Sequence, residues 1–243
     1  MNTNHTRRSV VLAGLGSAAS IALTGCASRG AATRNAGLPG PRWPHEGGFD
    51  DTPAPSTRPR PRPVATGTIR VQPRSTWTNT GPIVSQADPM VRVERLTVHH
   101  DALPPIAIRS RAQAADRIET IRRSHVQGRG WADIGYHYIV DPTGGVWEGR
   151  PIRLQGAHVR DQNPRNVGVL VLGHFDEQQP TPQALAALDA TMAELCGLHG
   201  IPLGRVKTHQ ELASTGCPGS NLQRYMIQTR ARHGRLAQRL MTT

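Results

Sequence analysis

The sequence predicts an α/β or α+β domain in which strands and helices alternate around a mixed β-sheet. Three observations carry that reading. "RLTVHHD" (Arg95 to Asp101) alternates as a half-buried strand does. "VGVLVLG" (Val167 to Gly173) is a continuous apolar run, suited to a central strand buried on both faces. Stretches of helical periodicity with recognisable caps lie between and after these two strands. The chain has 243 residues, enough for one sizeable domain plus extras, and the domain is expected over 69–236.

The first 68 residues read differently. Arg7 and Arg8 precede a 14-residue apolar stretch, Val10 to Leu23, which is too short to span a bilayer and fits the core of a signal peptide. "TRRSVVL" resembles a twin-arginine export signal, and "LTGC" (Leu23 to Cys26) resembles a bacterial lipobox. These resemblances imply a leader over 1–26, lipid on Cys26, and a membrane-anchored lipoprotein of the bacterial cell envelope that faces the periplasm. Several acyl chains on one cysteine anchor a protein stably where a single chain does not. From 27 to 68 the composition turns to Pro, Gly, Arg and Thr with almost no aliphatic residues. Such a segment builds no core and is expected to be an extended, semi-rigid linker. At ~3.1 Å per residue it would reach on the order of 100 Å.

Within the domain, Leu96, Val98 and His100 share one face of the first strand, and Thr97, His99 and Asp101 share the other. The adjacent histidines therefore do not readily ligate one ion, and His100 and His137 are read as supporting or core residues. Ser110 with Gln113 gives a capping-box signature for a helix running to about Val126, with Ile118, Ile121 and His125 along one stripe. "YHYIVDPTGGVWEGR" reads as a hairpin: a strand from Tyr136 to Val140, a turn at Pro142 to Gly145, and a second strand through Trp147. Glu148 and Arg150 just beyond it are expected to form an internal ion pair. Thr181 caps the next helix, Pro182 takes its first turn and Gly200 ends it. Its buried stripe is Leu185, Leu188, Met192, Leu195 and His199, with Cys196 as a core thiol. A last helix begins near Asn221. Arg224, Arg230, Arg232, Arg235 and Arg239 read as a solvated face, and 237–243 as a basic tail.

Net charge is +12, dominated by Arg, a field that attracts nucleic acid, anionic lipid or an acidic polymer. Aromatic residues make up only 4% of the chain and no recognition motif is present, which argues against nucleic acid. Three cysteines in no paired spacing argue against a disulfide framework. Three other residues point to a metal. His99, His209 and Cys217 supply two imidazoles and a thiolate, a donor set that suits Zn2+ with its fourth position open, as catalytic zinc sites have it. His99 lies more than a hundred residues before the other two, so a folded domain, not a local loop, must assemble the site.

Four blocks occur in order: "TVHHDA", "GWADIGYHYIVDPTGGVWEGRP", "GAHVRDQNPRNVGVLVLGHF" and "THQELASTGCPG". Together, over roughly Leu96 to Tyr225, they resemble the type 2 N-acetylmuramoyl-L-alanine amidases, a superfamily that includes bacteriophage lysozymes and the peptidoglycan recognition proteins. The resemblance implies a central mixed β-sheet flanked by helices, zinc in a groove, and a monomer that acts on peptidoglycan or muropeptides. The reaction implied is hydrolysis of the amide between the lactyl group of N-acetylmuramic acid and the L-Ala of the stem peptide. By the same resemblance, His99, His209 and Cys217 are the zinc ligands, and Tyr136 stands beside the activated water and the substrate carbonyl. Thr215 occupies the position where phage enzymes carry a lysine, two residues before the Cys ligand, and is expected to orient the attacking group. Leu172 stands where cytosolic relatives have a glutamate, so no general base is assigned. Substrate contacts fall on His125, Trp131, His158 and Asn163. His125 reads equally as an inward histidine of its helix stripe, whereas His158, after Gly156 and Ala157, reads as an exposed contact.

Two classes of function are compatible with these blocks. One is a zinc amidase; the other is a non-catalytic peptidoglycan-binding module that anchors an envelope to its wall. Binding-only members of the superfamily usually lack the Cys ligand. Cys217 is present, which favours the enzyme.

Overall fold

The computed structural model describes residues 69–105 and 107–241. The expected leader over 1–26, the lipid-bearing Cys26 and the linker over 27–68 lie outside these residues. Six strands form one sheet: β1 (Val71–Gln72), β2 (Arg95–His100), β3 (Tyr138–Val140), β4 (Val146–Glu148), β5 (Asn166–Val171) and β6 (Val206–Thr208). Their spatial order is β1-β4-β3-β5-β2-β6. The β3–β4 hairpin is antiparallel, and every other neighbouring pair runs parallel. The helices are α1 (Arg111–Arg123), α2 (Pro182–His199), α3 (Ser220–Arg230) and α4 (Arg235–Met241). The fold is thus the expected mixed sheet flanked by helices. Among the described residues, no helix is long and apolar enough to cross a membrane.

The two main strands differ in what their faces bury. Val167, Val169 and Val171 of β5 pack into a core with Leu188 and Met192 of α2, Leu222 and Met226 of α3, and Leu236 of α4. Leu170, with Leu172 just beyond β5, faces a second core formed with Ala114, Ile118 and Ile121 of α1. β5 is therefore apolar on both sides, as its sequence run requires. β2 is apolar on one side only: Leu96 and Val98 join the first core, while Thr97 and His99 are fully buried on the α1 side. A strand with buried polar residues on one face needs partners for them there. Those partners make the site.

Local chemistry fixes the element ends. Ser110 Oγ accepts the Gln113 N–H at 3.3 Å, but the Gln113 side chain reaches back to the Arg109 N–H (2.8 Å) and not to Ser110 itself. Past Arg123 the helix continues through a wider turn, Ser124–Gly128, that carries His125 into the interior. In the hairpin, the buried Asp141 carboxylate accepts from the Thr143 N–H and hydroxyl, the Gly145 N–H and the Trp147 indole. The first hairpin strand is shorter than expected, and Tyr136 and His137 precede it. Thr181 Oγ1 accepts from Ala184 N–H, and Gly200 takes a left-handed φ of 65° to end α2.

Three expectations are corrected. Arg150 does not pair with Glu148. Its guanidinium is buried and forks to the carbonyls of Ile134 (2.8 Å), Gln155 (2.6 Å) and Asp133 (3.0 Å), while Glu148 accepts the Arg74 N–H. A planar five-donor head meets several carbonyls as well as it meets one carboxylate. The arginine-rich end is not uniformly solvated either: Arg230 binds Glu211 and the Val206 carbonyl, and Arg235 lies 3.3 Å from Asp189. Finally, α4 crosses the boundary drawn after 236 and carries the packed structure to Met241, with Leu236 and Ala237 buried.

Asp189 is the polar joint of this helical layer. It is completely buried and accepts from the Tyr225 hydroxyl (2.6 Å) and the Thr229 hydroxyl (2.8 Å). Asp189→Ala strands both donors and is predicted to destabilise the domain by about 2–4 kcal/mol in denaturant unfolding. Asp189→Asn keeps an acceptor and should lose distinctly less; equal losses would show that the hydrogen bonds are not what matters.

Candidate metal centre and cleft

Strand register builds the centre. β2 pairs in parallel with β5 (His99 opposite Leu170) and with β6 (Val98 opposite Thr208). His209 follows Thr208 directly, so it emerges beside His99, and the two rings lie 4.7 Å apart. The Cys217 loop is tied in by the Gln210 N–H to Cys217 carbonyl bond (2.8 Å). Gly219 has φ 85°, and a Cβ there would lie 2.6 Å from the Phe175 carbonyl carbon, so only glycine lets this loop pack onto the end of β5. The outcome is that one ligand atom each of His99, His209 and Cys217 lie within 4.8 Å of one another. Cys217 Sγ is 3.6 Å from His99 Nδ1.

A cleft of about 360 Å³ opens on His209 and Cys217, walled also by Tyr136, His100, His174, Asp176 and Thr215, while His99 itself is fully buried. Thr215 is exposed, and its hydroxyl accepts the Cys217 N–H at 3.3 Å. Tyr136 is half-buried with its ring 5.1 Å from that of His99. Burial first, and the neighbouring Cys217 and Asp101 after it, hold the Tyr136 phenol well above its usual range, so it remains an O–H donor at neutral pH.

The donor set fits a divalent transition cation. Burial, then the neighbouring His158 and His209, lower His99 well below the usual imidazole value, so the ring is neutral and has a lone pair to give. Burial pushes the Cys217 thiol up to about 12; the His100 N–H that it accepts (3.4 Å) works in the opposite direction, and the Asp176 carboxylate raises it further. None of these neighbours supplies positive charge. A bound cation would supply it and favour the thiolate form of Cys217. Two nitrogens and one sulfur with an open wall match zinc in preference to the all-oxygen cations.

The remaining sequence candidates divide. His125 is buried, with Nδ1 accepting the Gly135 N–H (3.1 Å), and burial foremost lowers it to about 4. Its ring lies 4.6 Å from Trp131 and 5.8 Å from Tyr136, so the His125 ring contacts both. Trp131 is half-buried beneath Arg129. His158 is not the exposed contact expected. It is buried at 6% accessibility behind His99, with Nδ1 3.0 Å from His99 Nε2 and Nε2 3.1 Å from the Asn166 carbonyl. Asn163 caps the same turn, its side-chain oxygen accepting the His158 and Val159 N–H groups.

Sequence reasoning missed His174 and Asp176. With His100 they make a second cluster of possible ligands, and His174 Nδ1 is buried without a hydrogen-bond partner among the described residues. The signal was their place just past the carboxyl end of the central strand, where sites collect in open α/β sheets. The two clusters are not equivalent. His100 Nδ1 already accepts the Phe175 N–H (3.3 Å), which leaves Nε2 protonated and this ring without a free lone pair.

The sheet brings three possible metal donors together at its strand ends beside an open cleft, and comparison with known proteins gives the family. The family model described as N-acetylmuramoyl-L-alanine amidase matches residues 89–220, more than half the chain, and the chain belongs to that family. It is 31% identical over 159 residues to the N-acetylmuramoyl-L-alanine amidase of Sus scrofa, a match that covers 64% of this chain but only 26% of the pig protein. It is 35% identical over 114 residues to the endolysin of Enterobacteria phage K11, covering 45% of this chain and 74% of the phage protein. Among solved structures, Drosophila PGRP-LB superposes with a TM-score of 0.58 at 26% identity, covering 64% of this chain and 91% of that one. A point mutant of PGRP-LB in complex with tracheal cytotoxin gives 0.57 at 25% identity, covering 63% and 89%.

The turn that presents His209 rests on Glu211. Glu211 accepts the Thr208 N–H (3.0 Å), and Arg230 binds the carboxylate at 2.6 and 2.8 Å. Burial opposes the charge, but the bonds from Arg230, the Thr208 N–H and Gln223 together hold Glu211 at about 2. A carboxyl lowered in the folded state adds stability above its unfolded value, near 4.3, and loses that stability as pH falls through about 2. Glu211→Gln is predicted to cost roughly 1–2 kcal/mol at pH 7, after allowance for partial exposure. The gap between variant and parent should narrow as unfolding is measured from pH 5 towards pH 2. A gap independent of pH would remove the carboxylate from the account.

Proposed function

We propose that the chain is a zinc-dependent N-acetylmuramoyl-L-alanine amidase that cleaves the lactyl–L-Ala amide of peptidoglycan or muropeptides. The observation that carries this reading is the convergence of His99, His209 and Cys217, two of which line a cleft that is also walled by Tyr136. The similarity to amidases and an endolysin supports the substrate class, as does the tracheal cytotoxin complex of a structural relative.

His99, His209 and Cys217 would hold the zinc. When bound, it supplies a Lewis acid that lowers the pKa of water to about 7 and polarises the scissile carbonyl. Tyr136 donates its O–H to the oxygen that gains charge as the amide carbon becomes tetrahedral. Thr215, through the Cys217 N–H, orders the ligand loop at the cleft mouth. The neutral His125 and Trp131, in contact with each other and through His125 with Tyr136, would meet the stem peptide or sugar. Chemically, water oxygen bonds to the lactyl carbon, the carbon–nitrogen bond breaks, and the L-Ala amine leaves with a proton that the attacking water gives up. In the cell, the leader and the lipid on Cys26 would place the enzyme on a membrane, with the Pro-rich linker spanning the distance to the wall.

Purified peptidoglycan incubated with the protein should release stem peptides beginning at L-Ala, seen by mass spectrometry, and a zinc chelator should abolish the release. Binding without cleavage by zinc-loaded protein would instead favour an envelope-anchoring module. Tyr136→Phe should lower turnover about 10²-fold with zinc content unchanged. Loss of zinc in that variant would place Tyr136 in the metal site and not in catalysis.

A further inference from the structure

We propose that His158 is a positioning residue: held in a slot between two glycines, it fixes which nitrogen of His99 faces Cys217. This rests on the reading of His99 as a metal donor.

The hydrogen-bond chain starts from an atom with no proton. The Asn166 carbonyl oxygen only accepts, so His158 Nε2, 3.1 Å away, must be the protonated nitrogen. In a neutral ring Nδ1 is then the acceptor, and His99 Nε2, 3.0 Å from it, must donate. His99 Nδ1 is thereby left with its lone pair, on the side where Cys217 Sγ lies 3.6 Å away. The reverse order would set a lone pair of His158 against a lone pair of the carbonyl. One backbone acceptor thus determines the tautomer of a ring two hydrogen bonds away, and a ligating histidine needs its other nitrogen held in this way.

The surroundings are shaped for that ring. A Cβ at Gly168 would stand 2.7–2.9 Å from three ring atoms of His158, and one at Gly156 would stand 2.8 Å from its Nε2. Any larger residue at either position would drive the ring out. The acceptor is fixed as well: the Asn166 side chain binds the Thr97 hydroxyl (2.8 Å) and the Gln162 carbonyl (2.9 Å). Asn163 holds the His158 N–H at 2.8 Å. Two residues that the sequence suggested as substrate contacts therefore act on the ligand from behind.

Two measurements test this. Nitrogen-15 NMR of the metal-free protein should show His99 protonated at Nε2 and His158 at Nε2; a His99 protonated at Nδ1 overturns the proposal without any variant being made. Zinc affinity, read by competition with a chromophoric chelator, should fall about 10–100-fold in His158→Ala. His158→Asn offers an oxygen near the Nδ1 position and should recover part of the loss, while Gly168→Ala, which leaves His158 in the sequence, should resemble His158→Ala. Parental zinc affinity in His158→Ala together with lost amidase activity would overturn the proposal and return His158 to the substrate. Failure of the parent protein to bind zinc would sink the metal reading itself, a result the tautomer measurement keeps separate.

Discussion

Parallel pairing of β2 with β5 on one side and β6 on the other sets the position of everything that follows. With Val98 opposite Thr208, the residues just past each partner, His99 and His209, leave the sheet side by side at the same edge. A slip of one residue would turn every side chain of β2 to the opposite face. His100 would then point where His99 does, and Leu96 and Val98 would leave the core they share with α2, α3 and α4. The hydrophobic cost of that slip, about 1.5–3 kcal/mol for each large side chain exposed, is what keeps the histidine in place. Packing energy on one face of the strand is thus converted into metal-site geometry on the other.

The second constraint is polar burial. His99, His137 and His158 are all buried, and burial favours their neutral forms. Neutral imidazoles are donors to metals, but each has one N–H to place and one lone pair to fill. The fold does this with backbone groups: His137 takes the Gly168 N–H and meets the Leu154 carbonyl, His125 takes the Gly135 N–H, and His158 meets the Asn166 carbonyl. Gly168 and Asn166 belong to β5, so His137 and His158 are each held by a group of the central strand. Arg150 extends the scheme by clamping the carbonyls of the segments that lead to Tyr136 and to His158.

Much of this was legible in the sequence where the physics is local. The apolar run of β5, the Thr181 and Ser110 caps and the hairpin turn each depend on neighbours a few residues away. Strand parity separated His99 from His100, and donor chemistry grouped His99, His209 and Cys217 across more than a hundred residues. What stayed hidden depends on distant partners. Nothing near His158 shows that Gly156 and Gly168 open a slot for it, so its lack of an apolar period read as exposure. Arg150, Arg230 and Arg235 were read as paired or solvated because an arginine's partners are set by tertiary contacts. His174 and Asp176 carry no periodic signal; only their place past the central strand marks them.

The proposed function stands on three residues from three segments that together offer one open metal site. X-ray absorption at the zinc edge of the zinc-loaded protein tests it most directly. The spectrum should show one sulfur at about 2.3 Å, two imidazole nitrogens at about 2.0–2.1 Å and one further light atom. A first shell without sulfur, or six oxygen and nitrogen neighbours, would contradict it.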